Sequence, residues 1–426
     1  MKDKPMVFLL FLGLLEEVFC LGILCLGDLR TNVLWFIPVY LLCFIPYFLS
    51  VNVIKKGKTE AKKILLIIIL FAVLFRLTLF LSPPTLSDDI YRYLWDGRVG
   101  SHSINPYSHP PDAEKISWLR DNYYSMINHK EIPTIYPPFT QIIFTLTDRL
   151  LHSIQGMKAV FIMFDVMIIF VIYKILSFKR YNPLLIIIYA WNPLILIEFS
   201  GSGHNDSQAI FLLVISLYFF LLNRCNLSVI FLSLSFLSKY LAILFLPLYL
   251  RRVKKSSLPL FFFIAICLYL PYLNAGRNLF SGLLTYAEHW RFNDSIFQIL
   301  LWTTGSVIVS KCIAVSVLML VLCRLLKCGK DILQASYFLT GTCILLSPTL
   351  HPWYLTWLIP FLCFFPSRAW LLFSALIGLS YYVLVDYTVK GIWHESPYIK
   401  ILEFIPFYSL LLYEKLASLK SPPDSQ

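Results

Sequence analysis

Apolar stretches of roughly 20 residues, separated by short connections rich in lysine and arginine, recur along nearly the whole chain. A helix of that length crosses about 30 Å of hydrocarbon, and lipid tolerates little backbone besides helices and closed barrels. The stretches lie near residues 7–27, 33–54, 62–82, 157–177, 182–199, 207–223, 257–273, 306–326, 332–347, 353–366, 368–386 and 399–416. Only 14% of the 426 residues are charged and 58% are hydrophobic, whereas a soluble domain runs nearer a quarter charged. The expected fold is an all-α polytopic membrane protein, a bundle of about 12–14 transmembrane helices.

A net charge of +12 would suit a nucleic-acid partner, but the basic residues cluster in the connections between spans, so topology accounts for them and no nucleic acid is expected. The ten cysteines lie in or beside apolar runs and none falls in the long loop 82–133, which argues against a disulfide framework. The segment 226–250, with Lys239 at its middle, reads as one span or as two short helices meeting at that lysine. The second reading keeps both of its basic ends, Arg224 and Arg251 to Lys255, on one side. With it, Lys55 to Lys63, Lys179-Arg180, Arg324 to Lys330 and the C-terminal tail also face the cytoplasm. The other, external face then carries four polar and aromatic segments: the loop after Asp88-Asp89, Gly201 to Asp206, Tyr286 to Asp294, and Ser347 to Tyr354.

The domain plan is an N-terminal transmembrane hairpin (1–60), a core (61–366) with an external loop at 82–136, and a C-terminal hairpin with a cytoplasmic tail (367–426). Within the core, 136–152 is expected to be an interfacial helix.

Charged groups grouped just outside a span are functional suspects in a chain this apolar. Asp88 and Asp89 supply a general base or simply cap the helix that follows. Arg92 and Trp95 bring a cation and an aromatic ring beside them. His204, Asn205 and Asp206 form either a tight turn or part of a site. Lys239 either snorkels to an interface or pairs with an anionic headgroup. His289 and Arg291, set among aromatic rings, suit a sugar attached to a phosphate, although Arg291 could equally pair with Glu288 or Asp294. His351 and Tyr354 open a later apolar stretch. Glu16, Glu17, Asp165 and Glu198 are intramembrane acids to which the sequence assigns no partner. Acids and histidines of this kind also bind a divalent cation such as magnesium or manganese, but no HxxxH or CxxC spacing marks a metal site.

The segments Ser87 to Gly97, Asn105-Pro106-Tyr107, Gly203 to Asp206, His289 to Asn293 and His351 to Tyr354, in that order, resemble the GT-C superfamily of membrane glycosyltransferases. Within it they are similar to the bacterial polyprenol-phosphate-mannose-dependent α-mannosyltransferases. The resemblance implies inverting transfer of a hexose, mannose above others, from a polyprenyl-phosphate donor to a lipid- or glycan-linked acceptor of the cell envelope. It places the active site on the external face of the cytoplasmic (inner) membrane and the catalytic acids at Asp88 and Asp89. A transporter or flippase of a lipid-linked saccharide is the alternative, since transporters build sites from broken helices and intramembrane acids.

Overall fold

In a computed structural model, which describes residues 4–56, 61–250, 253 and 255–420, every regular element is helical. A bridge between Phe292 and Thr349 is the one β pairing among those residues. Seven helices are long and apolar enough to span a membrane: Lys4–Cys25, Val33–Lys55, Ala61–Phe80, Ile154–Phe178, Leu258–His289, Val307–Lys327 and Arg368–Lys390. The pair Pro183–Ala190 and Pro193–Gly201, bent by 51°, makes an eighth if counted as one span. The chain is an all-α, multi-pass membrane protein. The expected spans at 207–223 and 332–347 are the shorter apolar helices Asp206–Leu221 and Ile332–Leu346. The expected span at 353–366 is replaced by the single turns Pro352–Leu355 and Ile359–Leu362, because Pro360 lacks the amide hydrogen that would continue the helix past Thr356 and Pro366 stops it at the far end. The segment 226–250 does break at Lys239, whose backbone is extended between Cys225–Phe236 and Tyr240–Phe245. The expected basic positions at 57–58, 251–252 and 254, and the tail from 421, lie outside the described residues.

The chain forms two compact units: Met1–Ser82 with Leu176–Ile197 and Arg291–Gln426, and Pro83–Ile175 with Glu198–Trp290. In the first unit, a repeated Asn-Pro dipeptide shapes the broken span. The side chains of Asn182 and Asn192 accept from the amides of Leu184 and Leu194, both at 3.0 Å, and the prolines occupy the first helical turn. Backbone carbonyls near the break need donors in a medium without water. Tyr47 donates to the Ile188 carbonyl at 2.7 Å, and Arg76 donates to the carbonyls of Ala190 at 2.8 Å and Ala72 at 2.9 Å. A buried arginine thus serves a bent backbone. Trp191 fills the bend, its ring against Phe71 and Phe75 and its indole N–H on the Ile68 carbonyl at 2.9 Å. Among the intramembrane acids, Glu17 accepts from the Thr78 hydroxyl.

In the second unit, the helix Asp89–Ser101 lies backbone-to-backbone on Pro138–Leu151. A Cβ on Gly97 would meet the Phe144 carbonyl oxygen at 2.6 Å, and one on Gly100 would meet the Thr145 hydroxyl. Pro138–Leu151 turns Thr140, Gln141, Thr147 and Asp148 inward and leaves Leu146, Leu150 and Leu151 exposed, the arrangement of a helix facing an apolar medium. Tyr93 anchors the contact, stacked on Phe144 at 4.8 Å and edge-on to Tyr136 and Phe161. This packing fixes the N-terminus of Asp89–Ser101, where the paired acids sit.

Candidate active site

Two α-helices of the second unit begin with a carboxylate. Asp89 opens Asp89–Ser101 and Asp206 opens Asp206–Leu221, where the positive end of the helix dipole favours negative charge. The residues before them, Asp88 and Asn205, occupy the N-cap positions, yet neither makes a side-chain capping bond. Helix capping therefore does not account for the second acid. The Ser87 hydroxyl accepts from the Asp89 amide at 3.3 Å instead.

Around Asp89 the ionisable groups form a connected set. His204 stands between two carboxylates, Nδ1 3.6 Å from Asp89 Oδ2 and Nε2 3.4 Å from Glu198 Oε2. Glu198 is fully buried and His204 is 1% exposed, so the imidazole lies beside that acid inside the protein. Lys239 pairs with buried Asp206 at 3.0 Å. The Tyr93 hydroxyl lies 3.5 Å from Asp89 Oδ2 and 3.3 Å from Asn205 Oδ1, and burial pushes its phenol well above the usual range, which keeps it a neutral donor. Asp89 itself is pushed up from 3.8 to about 6, chiefly by burial, with the nearby charges of Asp206 and Asp88 adding to the rise. Lys239 and the Tyr93 hydroxyl oppose it. The chain bends here through the π-helix Leu196–Gly201 and then Gly203, at φ +74°. A Cβ on Gly203 would meet Ile90 and Lys158, each at 2.9 Å.

Asp89 also opens onto a cleft of about 90 Å³ in the same unit, lined by Arg92, His129, Tyr136, Tyr286 and Trp290 among others. Arg92 is held by Asp96 at 3.0 Å and by the Ile132 carbonyl at 2.9 Å; Asp96 also takes the Thr134 hydroxyl and the Gln141 amide. Trp95 is packed in the core against Tyr124, and its indole is 4% exposed. His289 ends its helix on the surface, with Nδ1 3.1 Å from the Thr285 carbonyl.

In the first unit, Arg291 is bound by Asp294 at 2.6 Å and by Gln298 at 2.9 Å. Asp294 is in turn held by Lys400 at 3.0 Å. The pairing of Arg291 with Asp294, left open by the sequence, is the one realised. His351 stacks on Phe292 at 4.6 Å and on Trp353 at 4.3 Å, with Tyr354 edge-on. The structure thus joins Asp89 to His204 in one unit and Phe292 to His351 in the other. Sequence reasoning left Glu198 without a partner and gave Trp290 less weight than Arg291. It had no sign of His129, whose place depends on a backbone turn. Among the described residues no group of three or more His, Cys, Asp and Glu side chains is arranged to hold a metal ion.

Comparison with known families decides among the chemistries that such a set of groups could perform. Residues 25–253 match a family model described as alpha-(1->6)-mannopyranosyltransferase, N-terminal domain, which spans more than half of the chain. The chain belongs to this mannosyltransferase family. Residues 294–405 match a second model, described as MptB C-terminal domain. No curated protein and no solved structure matches the chain. The mannosyltransferase carries Asp88, Asp89, Glu198, His204, Asp206 and Lys239 within the first matched stretch, and the Arg291 partners Asp294 and Lys400 within the second. Membership makes it a glycosyltransferase with a sugar donor and a glycan acceptor, and removes the transporter alternative.

Proposed function

We propose that the mannosyltransferase moves mannose, with inversion, from a polyprenyl-phosphate donor to a hydroxyl of a lipid- or glycan-linked acceptor on the external face of the cytoplasmic membrane. Asp89 is the general base. The observation that carries this reading is a half-buried carboxylate at a cleft wall, raised to about 6, with His204 and Glu198 behind it and Lys239 beside it.

The acceptor O–H proton passes to the Asp89 carboxylate as the acceptor oxygen bonds to the anomeric carbon. The bond from that carbon to the phosphate oxygen breaks, and its electron pair leaves on the phosphate. The leaving phosphate is a weak base, with a second pKa of about 6, so no dedicated acid is required. Charge gathering on it needs a fixed cation, the part assigned to Lys239. His204, between Asp89 and Glu198, is a positioning residue for the base. A polyprenyl tail suits a protein whose spans expose large apolar side chains, and the α-(1→6) linkage is carried over from the family description.

Purified protein given synthetic polyprenyl-phosphate mannose and an α-mannoside acceptor tests this, with transfer followed by mass spectrometry. Asp89→Asn should lose about 10²–10⁴-fold in rate, the usual worth of a general base. Near-normal transfer by that variant would remove the mechanism. A polyprenyl-phosphate glucose control checks the sugar, and cysteine labelling at position 89 in intact cells checks the side of the membrane.

A further inference from the structure

Tyr286 and Trp290, which line the same cleft as Asp89, come from a part of the chain that neither family model covers, residues 254–293. The helix Ser281–His289 is pinned there. A Cβ on Gly282 would meet the Pro133 carbonyl oxygen at 2.3 Å, so this helix rests directly on the loop that forms the cleft floor. The helix ends at Trp290, whose backbone turns extended at φ −76°, ψ 125°. Tyr286 lies 5.1 Å from the indole, and His129 is edge-on to it at 4.6 Å. His129 holds that place with a left-handed backbone, φ +46°, strain of a kind that gathers at ligand sites. Trp290 also differs from the tryptophans that face outward. Trp35 and Trp302 are 70% and 76% exposed, whereas Trp290 is partly covered by its aromatic neighbours.

The charges of the cleft select the ligand class. The Arg92 guanidinium lines the cleft but is fixed in place by Asp96 and the Ile132 carbonyl. The proposed phosphate partner Lys239 is held by Asp206 and does not line this cleft. What the cleft presents is aromatic surface beside one carboxylate, with the Asn128 amide and the tethered Arg92 as further polar groups. A neutral pyranose has an apolar C–H face to lay on a ring and hydroxyls to offer a base.

Building on the function proposed above, we infer that Trp290, supported by Tyr286 and His129, is the platform for the acceptor sugar. It positions the attacking hydroxyl at Asp89 and sets acceptor preference from the segment outside the family-matched regions. The test uses the full-length protein in detergent, with polyprenyl-phosphate mannose as donor and octyl α-mannopyranoside as acceptor, each varied in turn. Trp290→Ala should raise the acceptor KM about tenfold, the upper range for losing one aromatic contact. Trp290→Phe should fall between, and the donor KM should stay at the wild-type value. An unchanged acceptor KM, or a rise confined to the donor KM, overturns the assignment. Asp89→Asn run in parallel separates the two readings. If that variant is inactive while Trp290→Ala binds acceptor normally, the platform alone is wrong; if it transfers normally, the reaction assigned to the cleft is wrong. Should Trp290→Ala fail to fold, Trp290→Phe and Tyr286→Leu carry the same comparison.

Discussion

The two adjacent aspartates make opposite predictions about pH. With its carboxyl raised to about 6, Asp89 is protonated, and useless as a base, through most of the acid range. About one tenth of it is ionised at pH 5 and about nine tenths at pH 7, so kcat/KM should climb roughly tenfold between those values and level off above pH 7. A phosphodiester donor stays ionised throughout that window, which assigns the limb to the protein. Asp88 is one of the charges that hold Asp89 up, after Asp206 in weight. Asp88→Asn removes that repulsion, so its limb should move to lower pH while its plateau stays within a few-fold of wild type. Asp89→Asn should remove the limb together with the activity. The assay is the initial rate of mannosyl transfer at low substrate, from pH 4.5 to 8, for the wild type and both variants. A flat wild-type profile between pH 5 and 8 would refute the reasoning. So would an Asp88→Asn limb displaced to higher pH, or loss of activity in Asp88→Asn but not in Asp89→Asn.

His204→Gln keeps a polar side chain between Asp89 and Glu198 but loses the imidazole. It should lower kcat about 10–100-fold with little change in donor KM, the scale of losing an outer-shell partner, as read from steady-state kinetics. Lys239→Met leaves buried Asp206 without its cation at a cost of about 3–5 kcal/mol, and should raise donor KM at least tenfold. Adding Asp206→Asn should recover thermal stability but not donor affinity, which a melting curve and a donor titration separate. Gly203→Ala must hold φ +74° and push Ile90 and Lys158 away, so it should destabilise by about 2–4 kcal/mol. It should also displace His204, lowering activity in the fraction that remains folded.

Hydropathy made the class legible, and Lys239 in the middle of an apolar stretch made one break legible. It passed over another: 182–199 is expected as a single span, but its two Asn-Pro dipeptides each start a helix and the structure bends there by 51°. Hydropathy did not separate a span from a buried irregular segment. Residues 353–366 are as apolar as a transmembrane helix but are nearly all buried against the rest of the protein, so their composition records burial and not contact with lipid. The distinction lay in Pro360 and Pro366, which set the backbone regardless of hydrophobicity.

The candidate site was legible where charge had to be explained, and illegible where geometry decided. A carboxylate in an apolar chain requires a partner, and His204 between Asp89 and Glu198 answers that requirement across more than 100 residues of sequence. Sequence adjacency, by contrast, favoured Arg291 over Trp290. An arginine has long reach and an acid three residues on satisfies it locally, so Asp294 and Gln298 hold the guanidinium. Trp290 packs on Tyr286 one turn earlier in its own helix, and its place in the cleft follows from Gly282, which lets that whole helix approach the Pro133 carbonyl. The glycine is the decisive residue there. A methyl group at position 282 would lift the aromatic wall away from Asp89 and weaken acceptor contact without touching any charged group.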